Sequence, residues 1–255
     1  MATFVLVPGY WLGAWAWDEV AAELRAAGHE VRAVTPTGQG ERAAEAAPGV
    51  DVDTHIADIV EAVEGGGPER VVLVAHSGAN MAATGAADRI PGRIARIVYV
   101  DTGPMPSGMA GIDFHDPEAR AELERQVAEE GGGWLIPVAP FDPDAGGDAG
   151  DLAGLTAAQL AVLRERGTPQ PFGTATQPLK RPDPLPATPR ALIATSIPLA
   201  AVTALAEQGH PVFAGMAGPG WTHRELPTGH WPMLSRPREL AALLGELADP
   251  GGAGR

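Results

Sequence analysis

The sequence predicts an α/β protein, a mostly parallel sheet flanked by helices on both faces. Three observations carry that reading. Short apolar runs rich in β-branched residues alternate with helical patterns at close spacing over residues 1–103. The alternation stops over residues 104–189, which are rich in Gly, Pro and Asp, and resumes from residue 190. The apolar runs are continuous, without polar residues at every second position, as in strands covered on both faces.

The first strand is expected at residues 3–7, closed by Pro8-Gly9. A loop over residues 10–14 feeds a helical pattern at 15–27, with Gly28 as its C-cap. Residues 30–34 form the second strand and 35–40 a turn-rich loop. Asp51 and Thr54 suit the start of a helix running to Val63, because Ile56, Ile59, Val60 and Val63 then share one face. The third strand follows at 70–75, its helix at 80–89, and a fourth strand at 94–100 ends on Asp101. Within 104–189, helices are expected at 116–130 and 156–166. A structureless loop of that length is uncommon in a compact domain, so the segment reads as a helical cap inserted over the sheet. Its Trp134, Leu135, Ile136, Phe141 and Phe172 either line a substrate cavity or fasten the cap to the core. Strands at 191–195 and 222–226 and helices at 199–207 and 238–248 complete the pattern. The expected division is a core of 1–103 and 190–250, a cap of 104–189, and a flexible tail of 251–255.

Composition narrows the function. With 255 residues, 45% of them hydrophobic, the chain can bury one large core. Thirty-two acidic against 18 basic residues give a net charge of −14, which argues against nucleic acid or an anionic membrane as a partner. With no cysteine, neither a disulfide framework nor a thiolate metal site is available, and no pattern asks for a metal or cofactor. The N-terminal residues enter a strand without a basic leader and no apolar run reaches spanning length, so a cytoplasmic protein is expected. A homodimer is compatible with the sequence, though nothing specifies one. Lys180 is the sole lysine in a chain rich in Ala, Gly, Pro and Arg, a bias typical of high-GC bacterial genomes.

The chemistry gathers at Val71-Val72-Leu73-Val74-Ala75-His76-Ser77-Gly78-Ala79-Asn80, an apolar run that ends on a histidine, a serine and small residues. It reads as a strand turning sharply into a helix, the nucleophile elbow that lifts a serine Oγ clear of the sheet. The usual G-x-S-x-G is here Ala75-His76-Ser77-Gly78-Ala79, and the plainer reading is a serine capping an ordinary helix. Gly9, Ser77 and Asp101 all fall at strand C-terminal ends, where parallel sheets carry ligand chemistry.

Residues 4–17 (FVLVPGYWLGAWAW), the elbow, and Gly229-His230 leading into Leu234-Ser235-Arg236-Pro237 together resemble an α/β-hydrolase. The nearest branch is that of the plant-type methylesterases and hydroxynitrile lyases. The resemblance implies the α/β-hydrolase fold and a serine hydrolase that cleaves a small ester, thioester or lactone through an acyl-enzyme on Ser77. His230 is then the base, and the backbone N–H groups of Tyr10 and Gly78 form the oxyanion hole. Pro8 replaces the usual histidine without removing those backbone donors. Trp11, Trp231 and Met233 near the mouth, with Trp134 from the cap, imply a pocket for a small apolar substrate. The third triad member departs from the family. The loop after the penultimate strand, residues 194–198, reads Ala-Thr-Ser-Ile-Pro and holds no carboxylate. Asp101 occupies the alternative position used by some relatives, although it could simply cap the turn that follows it. Failing Asp101, the site is a Ser–His dyad or takes an acid from the cap, Asp113 or Asp116. His76 is expected to face away from the nucleophile, and His29, His55, His115, His210 and His223 lie outside any motif. Two other classes stay open: a cofactor-free lyase or cyclase using the Ser/His pair for acid–base work, and a non-catalytic small-molecule binding protein. Hydroxynitrile lyases of this branch carry Thr at the position of Gly9 and Lys at that of Trp231, so that activity is not implied.

Overall fold

The computed structural model describes residues 1–144, 150–216, 218 and 220–248; the tail expected at 251–255 lies outside them. The core strands are β1 (Thr3–Val7), β2 (Glu30–Ala33), β3 (Val71–His76) and β4 (Ile94–Val100). Two short strands, β5 (Leu135–Ile136) and β6 (Gln170–Pro171), precede β7 (Arg190–Ala194) and β8 (Trp221–Glu225). Six of them form one parallel sheet in the order β2-β1-β3-β4-β7-β8.

The period of two along each strand sorts the core into two layers. Val5, Val7, Leu73, Ala75, Ile97, Tyr99, Leu192 and Ala194 face one side. There they meet Ile56, Ile59 and Val63 of α2 (Val52–Glu64) and Met81, Ala83 and Ala86 of α3 (Asn80–Arg89). Phe4, Leu6, Val72, Val74, Val98, Val100, Ala191 and Ile193 face the other side, against Val20 and Leu24 of α1 (Asp18–Ala26). Because both faces are covered, β1 and β3 are buried at every residue, which is why they read as unbroken apolar runs.

The helix starts follow the expected chemistry. Asp51 accepts from the Thr54 amide while Thr54 reaches back to Asp51, a capping box opening α2. Asp116 caps α4 (Pro117–Glu129), and Thr156 with Gln159 boxes α5 (Ala157–Arg166). The first helical pattern divides into a 3₁₀ turn, Ala14–Trp17, and then α1, beyond which Gly28 sits at φ +87°. A short α6 (Gly173–Thr176), α7 (Leu199–Glu207), the single-turn α8 (Pro232–Ser235) and α9 (Pro237–Ala248) complete the chain. Val202 of α7 joins the first core layer, and Leu240 and Leu244 of α9 join the second.

The segment between β4 and β7 is tied to the sheet at several points. Phe141, Leu160 and Leu163 join the second core layer. Arg181 Nε bonds Asp88 Oδ2 of α3 at 2.7 Å in a nearly buried ion pair. The Thr168 amide donates to the Trp11 carbonyl at 2.9 Å, and its Oγ1 accepts from the Gly40 amide at 2.8 Å. By contrast α4 buries only Val127, and its ion pairs are Arg120–Glu124, Arg125–Glu122 and Arg125–Glu129 within the helix and Arg120–Asp113 just ahead of it.

Strand register aligns the functional loops. Val7 pairs with Ala75, His76 with Val100, and Val100 with Ile193. Gly9, Ser77, Asp101 and Thr195 therefore leave neighbouring strands along one edge. The strand order reverses between β1 and β3, the switch point where doubly wound sheets bind ligands.

Candidate active site

Ser77 follows the last residue of β3 at φ +50°, a left-handed conformation rare for a residue with a side chain, and opens the 3₁₀ turn Ser77–Ala79 into α3. Asp101, directly after β4, is left-handed too, at φ +51°. The elbow admits little around it. A Cβ on Gly9 would stand 2.9 Å from Ser77 Cβ, and one on Gly78 would stand 2.4 Å from the Tyr10 ring. Glycine at both places lets the loop after β1 lie directly on the elbow.

His230, in the turn between β8 and α8, completes a line of contacts. Its Nε2 lies 2.7 Å from Ser77 Oγ, and its Nδ1 lies 2.6 Å from Asp101 Oδ2. Asp101 keeps only 2% of its side chain exposed. It does not cap its own turn: Oδ1 accepts from the Thr195 and Ser196 amides at 3.1 and 2.9 Å, and Oδ2 accepts from Ser196 Oγ at 2.5 Å. Burial pushes this carboxyl up. The hydrogen bond and charge of His230, with the bonds from Ser196 and Thr195, outweigh burial and hold it well below the usual carboxylate range. Asp113 bonds Arg120 and the Ala110 amide, and Asp116 caps α4, so both of these acids are engaged elsewhere.

His76 has a part that the sequence did not reveal. Its buried ring lies with its centroid 4.8 Å from that of His230, and its Nε2 donates to the His230 carbonyl oxygen at 2.6 Å. A carbonyl can only accept, so the proton sits on Nε2. Burial, helped by the charge of His230, pushes its pKa down to about 3, and the ring stays neutral.

A cavity of about 860 Å³ opens over Ser77 and His230. Trp11, Leu123, Ile136, Phe213, Met216 and Trp231 supply much of its apolar wall. The expectation for Met233 fails: it is 0% exposed within the second core layer, because the single-turn α8 directs it inward. Trp134 is half-buried and lies outside the cavity lining, in the turn ahead of β5 where the strand pleat does not yet direct it. Leu135 and Phe172 are likewise outside the lining, and Phe141 fastens the segment to the core.

The model of the alpha/beta hydrolase family matches residues 4–243, nearly the whole chain. A carbendazim hydrolyzing esterase from Nocardioides sp. is 33% identical over 261 aligned positions, covering 97% of this chain and all of that one. Methylesterase 7 of Arabidopsis thaliana is 37% identical over 99 positions, 38% of each chain. Among solved structures, an extracellular α/β-hydrolase from a Paenibacillus species superposes with a TM-score of 0.77 at 22% identity, covering 97% of this chain and 99% of its own. An Arabidopsis methylesterase superposes at 0.74 with 19% identity, over 97% and 98% of the two chains. With the elbow at the switch point and a parallel sheet of this strand order beneath it, the match over residues 4–243 makes this chain a member of the alpha/beta hydrolase family.

Proposed function

We propose that Ser77, His230 and Asp101 act as a triad that hydrolyses a small, largely apolar ester through an acyl-enzyme. That the chain is a small-ester hydrolase follows from its family and its full-length similarity to a bacterial esterase. The observation carrying the residue assignment is the unbroken line Ser77 Oγ–His230 Nε2–Nδ1–Asp101 Oδ2, at 2.7 and 2.6 Å.

A serine hydroxyl attacks well only while a base takes its proton. His230 Nε2 removes the proton as Oγ adds to the ester carbonyl carbon, and the carbonyl oxygen becomes the oxyanion. The Gly78 N–H, at the start of the elbow's helical turn, and the Tyr10 N–H, in the loop lying on the elbow, face that oxygen. Collapse breaks the bond to the alkoxy group, which leaves as the alcohol with the proton from His230. Water, deprotonated in turn by His230, adds to the acyl carbon. The second collapse releases the acid and restores the Ser77 hydroxyl. Asp101 stays ionised throughout, holding the Nδ1–H tautomer and stabilising the imidazolium. The apolar wall favours an aliphatic or aromatic acyl group.

A series of p-nitrophenyl esters of rising chain length, run on wild type, Ser77→Ala and His230→Ala, tests the reaction. Either substitution should abolish turnover, and the double variant should be little worse than the singles, because a triad acts as a unit. A fluorophosphonate probe should label the wild type and not Ser77→Ala, which separates acyl transfer from lyase chemistry and from simple binding. Retention of most hydrolysis by Ser77→Ala would sink the assignment.

A further inference from the structure

Beside the elbow at Gly78 and Ala79, and outside the lining of the cavity, runs a buried chain of polar side chains that the triad does not use. Gln39 is 2% exposed, Gln170 0% and Thr174 4%. Gln39 Nε2 donates to the Gly9 carbonyl at 3.2 Å and to Gln170 Oε1 at 2.5 Å. Gln170 Nε2 donates to Thr174 Oγ1 at 2.8 Å, and that hydroxyl donates to the Pro171 carbonyl at 2.7 Å. The polarity of this chain has one solution. Pro171's carbonyl can only accept, so the Thr174 hydroxyl spends its proton there and must accept from Gln170. Gln170 then turns its oxygen towards Gln39, whose two amide protons go to Gln170 and to Gly9. A Gln39 amide flipped the other way would set its oxygen against two acceptors.

The Gly9 carbonyl belongs to the same planar peptide as the Tyr10 N–H, and in a trans peptide the two point in opposite directions. Cis bonding among the described residues is confined to Asp183–Pro184. Holding the carbonyl on Gln39, which is outside the cavity lining, therefore turns the Tyr10 N–H the opposite way, and Tyr10 and Ser77 both line the cavity. A clamp is needed because the peptide's first residue is glycine. Contacts of 2.9 Å from a Cβ to His76 and Ser77 exclude any side chain there, and glycine leaves the peptide free to rotate. The loop carrying Gln39 is itself anchored, since Thr37 bonds Asp58 through both its amide and its hydroxyl and Arg42 Nη1 bonds Asp58 at 2.9 Å. On the far side of Tyr10, the Trp11 carbonyl is held by Thr168.

We infer that Gln39, locked by Gln170 from the inserted segment, is a positioning residue that holds the Gly9–Tyr10 peptide with its N–H turned into the oxyanion hole. The inference rests on the proposed acyl-enzyme reading, in which Tyr10 N–H is an oxyanion donor. It makes the inserted segment part of the apparatus that stabilises the transition state, through a contact 131 residues away in sequence.

The test compares Gln39→Met, Gln170→Met and Thr174→Val with wild type and Ser77→Ala on one short p-nitrophenyl ester. It is paired with inhibition by an aliphatic trifluoromethyl ketone, to which Ser77 adds as a tetrahedral oxyanion. A lost oxyanion donor costs about 10²–10³-fold in kcat, so Gln39→Met should lose about 10- to 100-fold with KM within about threefold. Affinity for the ketone should fall in step with kcat. The loss should fade along the chain, with Gln170→Met intermediate and Thr174→Val below about threefold, whatever the order of the melting temperatures. If Gln39→Met keeps more than half of wild-type kcat, the clamp is overturned; so too if kcat falls while ketone affinity holds. Should Gln39→Met not fold, the same two readouts on Gln170→Met decide. Full activity in Ser77→Ala would instead overturn the acyl-enzyme reading, so the two failures are distinguishable.

Discussion

The loops that follow β4 and β7 divide one task in an instructive way. In the usual arrangement implied by the resemblance, the loop after the penultimate strand brings the carboxylate; here that loop brings Ser196 and two amides, and the carboxylate comes from Asp101 on the next strand inward. The two strand ends meet at the Asp101 carboxylate, which bonds His230 Nδ1, and the Val100–Ile193 register keeps them level. The space behind the imidazole is polar and holds a nearly buried carboxylate. The carboxylate changes strand while its hydrogen-bond donors stay behind on β7, so the group that carries the charge and the groups that solvate it are separable.

Asp101→Asn is the strongest way to break this division. An amide at such a site favours the wrong imidazole tautomer, and kcat/KM on the best ester should fall about 10⁴-fold. A loss below about tenfold would reduce Asp101 to a cap for the β7 loop and the site to a dyad. Adding Ser196→Asp to Asp101→Asn sharpens the comparison, because Ser196 Oγ already lies 2.5 Å from Asp101 Oδ2. Recovery of about tenfold is expected, a barrier change of about 1.4 kcal/mol; no recovery would mean that only the β4 end can hold the charge. Ser196→Ala removes one donor to the carboxylate while keeping both amides. A bond to a charged group is worth about 1.5–3 kcal/mol, of which part reaches the transition state, so kcat/KM should drop about three- to tenfold. An unchanged rate would show the hydroxyl to be redundant.

A separate effect, on stability and not on rate, lies at a third strand end, β3, where His76 supports the His230 backbone. Its pKa stands at about 3 against an ordinary 6.5. Between those values the unfolded chain takes up a proton that the folded chain refuses, so stability declines as pH falls from 6.5 and levels off near 3. The slope reaches at most about 1.4 kcal/mol per pH unit. Burial lowers His55 as well, and that contribution remains in the variant. Urea midpoints of wild type should therefore fall more steeply with acidification than those of His76→Gln. Parallel curves would clear His76 of the effect.

Much of this was legible because the strands are buried on both faces and long enough to show it. Residues 71–76, for example, are uniformly apolar up to the histidine and break abruptly at the elbow. Asp101 could be singled out because it is the acid that directly follows a core strand. β5 and β6 escaped notice because strands of two residues are too short for any period to emerge. Gln39 and Gln170 carried no signal in the sequence, since a glutamine becomes a buried clamp only when a distant partner supplies the complementary amide. Met233 was misread as cavity lining because nearness to His230 in sequence says nothing about which way a single-turn helix points its side chains.

The shallow burial of α4 has a consequence for altering the protein. This helix contributes Ala119, Glu122, Leu123 and Gln126 to the cavity wall, yet it fully buries one side chain, Val127, a contact worth about 1.5–3 kcal/mol. Although Leu123 belongs to the cluster that holds Phe172 and Ala175 and should be kept, the wall can thus be recarved, with wider or narrower side chains at Ala119, Glu122 or Gln126, without drawing on the stability of the sheet. It is the natural place to select new ester preferences from a library, and Gly9, Gln39 and Gln170 are the residues such a library should leave alone.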